Sequence, residues 1–437
     1  MREEFAIERP IEAAKLSLME KASYAFGYIG VSLITQIVMV WTLYFYAPPA
    51  GKGTTYVPVE LVGLAFAVSR IIDSASDIIV GIASDRTRTR CGRRRPYILI
   101  GAPLLAVAFA LIWTPPVAGT SSLNFIYVFA LLLIFFVLYT VVVGPYLALF
   151  PEIATEKSDR IALATWQAAF NVVGLAIGTL GSAFLIEKIG FRGMGLVMAA
   201  LALISFLVPG LTVIESPVND ERRPKFFEAF RYIAMNRAFR VYTASKLLIW
   251  FGFNMVIVSL AYITTIVIGL PRSMAGVVFA VALGIAAICF KPIGEIANKY
   301  GKKKTLAISS LLLAAAMTLI PVVGRIPLPL GRTLQGVMVI ALVGAPAAAL
   351  FVLPNAFVAD IADHGAGMCN HRLEGAYFGV QGFLNKVGMG LSSLAVGYLL
   401  GAFGYSASKP LGILLIGPIA AAFVVMGVAV FAKYELD

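Results

Sequence analysis

A chain of 437 residues that is 60% hydrophobic and only 13% charged has too few charges to coat a water-facing surface, since soluble domains carry about 25%. Its mean hydropathy of +0.89 means that much of its apolar surface faces lipid. The net charge of +12 argues for membrane orientation rather than nucleic acid, because the basic residues lie in short loops between apolar stretches, and the dispersed Cys91, Cys289 and Cys369 argue against a disulfide framework or a zinc site.

In chain order, residues 1–21 are polar and acidic. They lack the basic-then-apolar order of a cleaved signal peptide and read as a cytoplasmic segment. A membrane span needs about 20 mostly apolar residues. That ruler predicts spans near 22–48, 57–83, 96–115, 122–150, 161–186 and 191–214, a charged break at 215–240, and spans near 241–268, 273–298, 304–324, 333–360, 372–402 and 409–432. The expected organisation is a six-helix bundle over 22–214, a central cytoplasmic loop over 215–240, a second bundle over 241–432 and a tail at 433–437. In the break, Phe226, Phe227, Phe230 and Ile233 recur at helical spacing beside Arg231 and Arg237, which predicts an interfacial helix on the inner leaflet. Lys and Arg number 24 on the side of the termini and seven on the other, with four inside spans. That asymmetry predicts that both termini are cytoplasmic, with the protein in the plasma (inner) membrane.

A repeat supports the division into halves. Gly81 is followed at four and five residues by Asp85 and Arg86 and then by GRRRP. Gly294 is followed at the same offsets by Asn298 and Lys299 and then by GKKK. Glycine permits close helix approach, and an acid or amide at the helix end with a basic loop beyond it can clamp neighbouring helices. Six plus six spans with G-x-x-x-[DN]-[RK] in each half resemble the major facilitator superfamily over essentially the whole chain. The resemblance implies an all-α polytopic membrane protein with twelve transmembrane helices in two six-helix bundles, rocking around a substrate held near the midplane.

An ionisable group inside a span costs about 2.5–3.5 kcal/mol on insertion scales and calls for a function. In SRIIDSASDII of span 2, Arg70, Asp73 and Asp77 fall at i, i+3 and i+7 on one helical face with Ser76 alongside. Two carboxylates one turn apart call for a cation or a proton between them, so Asp73 and Asp77 are the candidate ligands if the ion is sodium. Arg70 can pair with only one of them. Lys386, deep in span 11 and bordered by Gly388 and Gly390, has the span 2 aspartates as its expected partners across the cavity. Gln36, Tyr139, Thr140, Trp166, Gln167, Asn171, Asn254, Gln381 and Asn385 are further polar residues within spans, whereas Lys246 and Lys291 are read as snorkelling to the interface. Asp360, Asp363, His364, His371, Arg372 and Glu374 read as a cytoplasmic ion-pair network. Arg70, Asp85, Arg86, Arg372 and Glu374 are the gating candidates.

KASYAFGYIG in span 1, the span 2 segment through GRRRPYILIG, NRAFR before span 7, and ADIADHGAGMCNHRLEGAYFGVQGFLNKVG through spans 10 and 11 resemble the glycoside–pentoside–hexuronide:cation symporters, the branch that includes the melibiose carrier. The resemblance implies a cation site of Asp73, Asp77 and Thr140, with Ser76 at an asparagine position and Lys386 at a lysine position. The sugar-binding positions fall on Ser32, Val143, Leu147 and Gln167, which departs from that carrier; Tyr139 is retained and Trp166 offers a different stacking platform. Candidate substrate contacts are therefore Tyr139, Trp166, Gln167, Lys386, Gln36, Asn254 and Gln381. The expected activity is Na+- or H+-coupled symport of a sugar or glycoside by alternating access. The alternative is transport of lipid-like or other amphipathic small molecules on the same fold. No enzyme chemistry, no cofactor beyond the coupling ion and no nucleic-acid partner are expected, and the resemblance implies a monomer in contact with membrane lipids.

Overall fold

Strong end signals and long apolar runs make this chain a sequence of helices. The computed structural model describes residues 16–89, 91–154, 156–213, 215, 235–325, 327, 329–369 and 374–435. Helix α1 spans Leu18–Tyr46 and starts on a reciprocal cap: Ser17 Oγ accepts from the Glu20 amide at 3.2 Å, and the Glu20 carboxylate accepts from the Ser17 amide at 2.8 Å. The helices α2 (Val59–Arg86), α3 (Arg95–Leu111) and α4 (Ser122–Ile153) follow. Helix α5 (Lys157–Ala176) continues through a π-helical segment, Ile177–Gly181, into α6 (Ser182–Thr212), where Gly190 at φ 71° breaks the rod and separates the fifth crossing from the sixth.

The second half repeats the plan with α7 (Arg237–Val258), prolonged by a second π-helical segment, Ile263–Ile268, and then α8 (Met274–Tyr300) and α9 (Lys302–Thr318). It closes with α10 (Arg332–Cys369), α11 (Glu374–Phe403) and α12 (Leu411–Phe431). Among the described residues, nine stretches are long and apolar enough to cross a membrane, one of which, Ser158–Thr212, holds two crossings. The 17-residue α3 and α2, whose middle carries Arg70, Asp73 and Asp77, complete twelve. The interfacial helix expected in the central break falls mainly on residues 216–234, outside the described residues.

Within the first bundle α1 packs on α5 and α6, and α4 on α2 and α3; within the second, α10 packs on α8 and α9, and α12 on α7 and α9. The bundles meet chiefly where α2 crosses α11, and small residues make that approach possible. A Cβ on Gly63 would lie 2.8 Å from the Ser393 carbonyl oxygen, and one on Gly397 2.8 Å from that of Val59. A second contact sets Gly276 of α8 against the Thr179 carbonyl, and a third joins Tyr262 to Ala47.

These contacts all lie at the helix ends remote from the chain termini, so that face is sealed. At the other face a Cβ added to Gly81, Gly294, Gly379 or Gly382 would meet nothing within 4 Å, and Ile79 is 68% exposed. Those positions, on the side that carries both termini, are not covered by the opposite bundle.

Among the described residues, ion pairs on that open face join side chains of the same bundle. Arg94 pairs with Glu152 at 2.6 Å and with Asp85 at 3.1 Å, and Lys302 pairs with Asp360. Residues 94 and 302, and residues 152 and 360, are each 208 positions apart, so the two bundles repeat the same tie. Arg86 is exposed.

Candidate functional site

Three helices converge on one cluster of charges. Arg70, Asp73 and Asp77 share a face of α2 because three or four residues make one turn. Helix α4 is fixed beside them by the edge-on packing of Phe136 on Phe66, with ring centroids 5.5 Å apart. Helix α11 runs antiparallel to α2 and approaches it where Gly390 meets Ala67 and Arg70, a Cβ there lying 3.0 Å from the Ala67 carbonyl oxygen. One turn back along α11, that approach sets Lys386 beside the two aspartates.

Lys386 Nζ lies 2.7 Å from Asp77 Oδ2, 2.8 Å from Asp77 Oδ1 and 3.1 Å from Asp73 Oδ1. Thr140 Oγ1 is 2.6 Å from Asp73 Oδ1 and 2.9 Å from Asp77 Oδ1, so its one proton is shared between the acids. The remaining Asp73 oxygen accepts from Arg70 Nη1 at 3.0 Å, and the guanidinium carbon lies 4.2 Å from the Phe136 ring centroid and 5.8 Å from that of Phe66. The Asp73 side chain is fully buried, whereas those of Asp77 and Lys386 are 39% and 21% exposed. All four carboxylate oxygens are therefore engaged, and two positive groups balance two negative ones.

Chemically this is a hard-cation cradle with a tethered ammonium inside it. The oxygens of Asp73, Asp77 and Thr140 suit a small cation or a proton. Lys386 occupies the point on which they converge.

The other candidates are placed as follows. Ser76 Oγ donates to the Asp73 carbonyl at 2.8 Å, back along its own helix. Tyr139 is buried on α4 beside Thr140. Gln167 is half-buried on α5, and Ser32 donates to Asn171 Oδ1, so α1 and α5 satisfy each other there. Trp166 is half-buried with its ring 5.9 Å from that of Phe170. Gln36, Asn254 and Gln381 are buried, and Gln36 Nε2 and Gln381 Oε1 find no hydrogen-bond partner among the described residues. Arg372 and the Glu374 side chain lie outside the described residues, as do the side chains of Asp363, His364 and His371.

Lys246 corrects a sequence expectation. Rather than snorkelling, it is 7% exposed and packed among Tyr242, Trp250, Leu306, Leu350 and Pro354. Lys291 does reach out, 87% exposed beside Glu295. The cation–π seat of Arg70 was also missed; Phe66, one turn before Arg70, was its signal in the sequence.

A family model described as "MFS/sugar transport protein" matches residues 23–437. The chain is 26% identical to the "Inner membrane symporter YicJ" of Escherichia coli (strain K12) over 413 residues, covering 90% of this chain and 85% of that protein. It is 24% identical to the "Putative glycoside/cation symporter YagG" of the same organism, again covering 90% and 85%. In fold it is similar to the crystal structure of nucleoside transporter NupG, with a TM-score of 0.72 at 13% identity over 96% of this chain and 100% of that one.

Proposed function

Because this chain belongs to the MFS/sugar transport protein family, we propose that it couples a monovalent cation, Na+ or H+, to symport of a sugar or glycoside by alternating access. The observation that carries the reading is the junction of Asp73, Asp77 and Thr140 with Lys386, which lies on the boundary between the bundles. An ion bound there changes the electrostatic tie between the halves, and that is how binding biases a rocking equilibrium. The names of the related symporters, YagG's glycoside/cation label among them, support the same class.

With the basic loops on the cytoplasmic side, the termini are cytoplasmic and the open face is the inner one, so the structure is the inward-facing state. In the outward-facing state, Gly81 and Gly294 close on the opposite bundle, and Asp85, Arg86 and the loop bases form the clamp. The protein works as a monomer in the plasma membrane.

The test is uptake in proteoliposomes. An imposed sodium or proton gradient drives accumulation by the wild type, and Asp73→Asn and Asp77→Asn each lose that coupling. Accumulation against a gradient by both variants would remove the site assignment.

A second reading is transport of an amphipath. Val143 and Leu147 favour it, apolar side chains at positions where the resembling carriers place sugar contacts; Leu147 is 39% exposed. Thermal stabilisation by lysolipids and by no sugar would select it.

A further inference from the structure

The loops that the second bundle places at the sealed face are one-sided in charge. Residues 259–275, 319–335 and 402–411 hold Arg272, Arg325, Arg332 and Lys409 and no Asp or Glu, whereas the first bundle mixes Lys52, Lys188 and Arg192 with Glu60 and Glu187 at that face. Membrane proteins keep bases few on the outer side, where this face lies in the orientation proposed above. Arg272 has a seat, its guanidinium carbon 5.8 Å from the Phe191 ring centroid. Arg325 and Arg332 share a cavity of about 330 Å³ between the end of α7, the α9–α10 loop and the start of α12.

The backbone holds both arginines at that wall. The Gly324 amide donates to Gln335 Oε1 at 2.7 Å and the Arg325 amide to the Val322 carbonyl at 2.9 Å, and a Cβ on Gly324 would lie 3.0 Å from Arg332 Cγ. Arg332 donates from Nε to the Val267 carbonyl at 2.6 Å and from Nη2 to the Ile266 carbonyl at 2.5 Å. Those bonds pin the guanidinium but neutralise nothing, and they use two of its five N–H donors. No ion pair among the described residues involves either arginine. The rest of the wall is largely apolar, with Val323, Pro410 and Leu414 in it, and the adjoining Val322 and Leu411 are exposed large apolar side chains.

We propose that this cavity binds the phosphate of a phospholipid from the leaflet at the sealed face, the phosphodiester bridging Arg325 and Arg332 and the glycerol–acyl portion lying against Val323, Pro410 and Leu414. Phosphate oxygens accept guanidinium N–H groups in pairs, and one anion between two like charges relieves their repulsion. A lipid fits better than a soluble anion because the wall is apolar and its rim, at Val322 and Leu411, presents the side chains of a lipid-facing surface. The site is separate from the α2–α11 charge cluster and depends on neither the coupling ion nor the substrate. Arg332 holds the last carbonyls of the π-helical segment Ile263–Ile268, which directly follows Tyr262. A bound lipid therefore fastens the part of α7 that carries the Tyr262–Ala47 bond.

The experiment titrates delipidated full-length protein in detergent with dihexanoyl phosphatidylglycerol, dihexanoyl phosphatidylethanolamine, dihexanoylglycerol and inorganic phosphate, following the thermal unfolding midpoint. Wild type is compared with Arg325→Ala, which keeps the loop because the Arg325 backbone makes its hydrogen bond, and with Lys52→Ala, an exposed base on the other bundle at the same face. Both phospholipids raise the wild-type midpoint saturably, and dihexanoylglycerol and inorganic phosphate do not. Arg325→Ala needs about tenfold more phospholipid for the same rise, and Lys52→Ala matches the wild type. An equal rise with dihexanoylglycerol means apolar binding alone, an equal rise with inorganic phosphate means a soluble-anion site, and either overturns the proposal. So does an unchanged response in Arg325→Ala, a loss in Lys52→Ala as large as in Arg325→Ala, or no response to any phospholipid. A photoreactive phosphatidylglycerol supplies an independent measurement: its crosslinks fall within residues 319–335 or 405–414 and fade in Arg325→Ala, and crosslinks confined to other segments refute the site.

Discussion

The Tyr262 hydroxyl donates to the Ala47 carbonyl at 2.7 Å, joining the end of α1 to the far end of α7 across the boundary between the bundles. Ala47 is the C-cap of α1, where carbonyls lack intrahelical partners, and Tyr262 is fully buried, its ring edge-on to Tyr44 at 5.2 Å and to Tyr405 at 5.9 Å. In the rocking cycle proposed above, the bond is lost when this sealed face opens. Removing it leaves a buried carbonyl unpaired, which costs about 1–3 kcal/mol, charged against the inward-facing state alone.

Tyr262→Phe therefore keeps the ring packing and shifts the population toward the outward-facing state by about 5- to 150-fold. A cysteine introduced as Thr265→Cys, 7% exposed in this state, reacts faster with an impermeant maleimide in the Tyr262→Phe background. Equal rates would mean that ring packing, not the hydroxyl, holds the seal.

The two aspartates differ in what they leave behind. Asp73→Asn strands Arg70, which is 2% exposed with its Nε already unpartnered, and breaking a buried pair costs about 3–5 kcal/mol. Asp77 is 39% exposed and shares Lys386 with Asp73. Both variants lose coupling, but only Asp73→Asn markedly lowers the thermal unfolding midpoint. Matching midpoints would show that Arg70 does not depend on Asp73.

Much of this was legible before any coordinates. Apolar length marks the spans, and the i, i+3, i+7 spacing of Arg70, Asp73 and Asp77 puts them on one face without any tertiary knowledge. Lys386 was legible because a lysine so deep in an apolar run, beside glycines, either pairs with an acid or loses its proton, and the span 2 aspartates were the acids on offer. The Tyr262–Ala47 bond was not: it links a side chain to a backbone atom 215 positions away, and a carbonyl has no sequence signal. The direction taken by Lys246 was hidden for a similar reason, since a lysine near a span end reaches water or the core according to how its neighbours pack.

Two glycines on α2 predict opposite trapped states. Gly63 has no room, the Ser393 carbonyl oxygen lying 2.8 Å from where a Cβ would be, whereas Gly81 has open space in this state. Gly63→Val forces the outer ends of α2 and α11 apart and favours the outward-facing form. Gly81→Val is accommodated here and blocks closure of the inner face. Both abolish transport, but cysteine accessibility from the two sides changes in opposite directions; the same pattern in both would refute the rocking geometry.

Glu215 holds the exit of the first bundle. Its carboxylate accepts from the amides of Arg93 at 2.7 Å, Arg94 at 2.9 Å and Arg95 at 2.7 Å, covering the orphan donors at the start of α3. Glu215→Ala costs about 0.5–2 kcal/mol of local stability. Amide hydrogen exchange then accelerates at residues 93–97 without a matching change in α9, which a global loss of stability would produce.

Lys246 allows a prediction in the stabilising direction. It is packed among Tyr242, Leu306, Leu350 and Pro354, and no described acid pairs with it. Holding an ammonium there carries a desolvation penalty without an ionic return, and the α2–α11 charge cluster makes no use of it. Lys246→Met preserves the length and shape of the side chain and removes the charge. The unfolding midpoint therefore rises while gradient-driven uptake persists, measurable by thermal denaturation in detergent alongside proteoliposome flux. A lower midpoint would mean that the ammonium is satisfied within the bundle and that its burial is a structural asset.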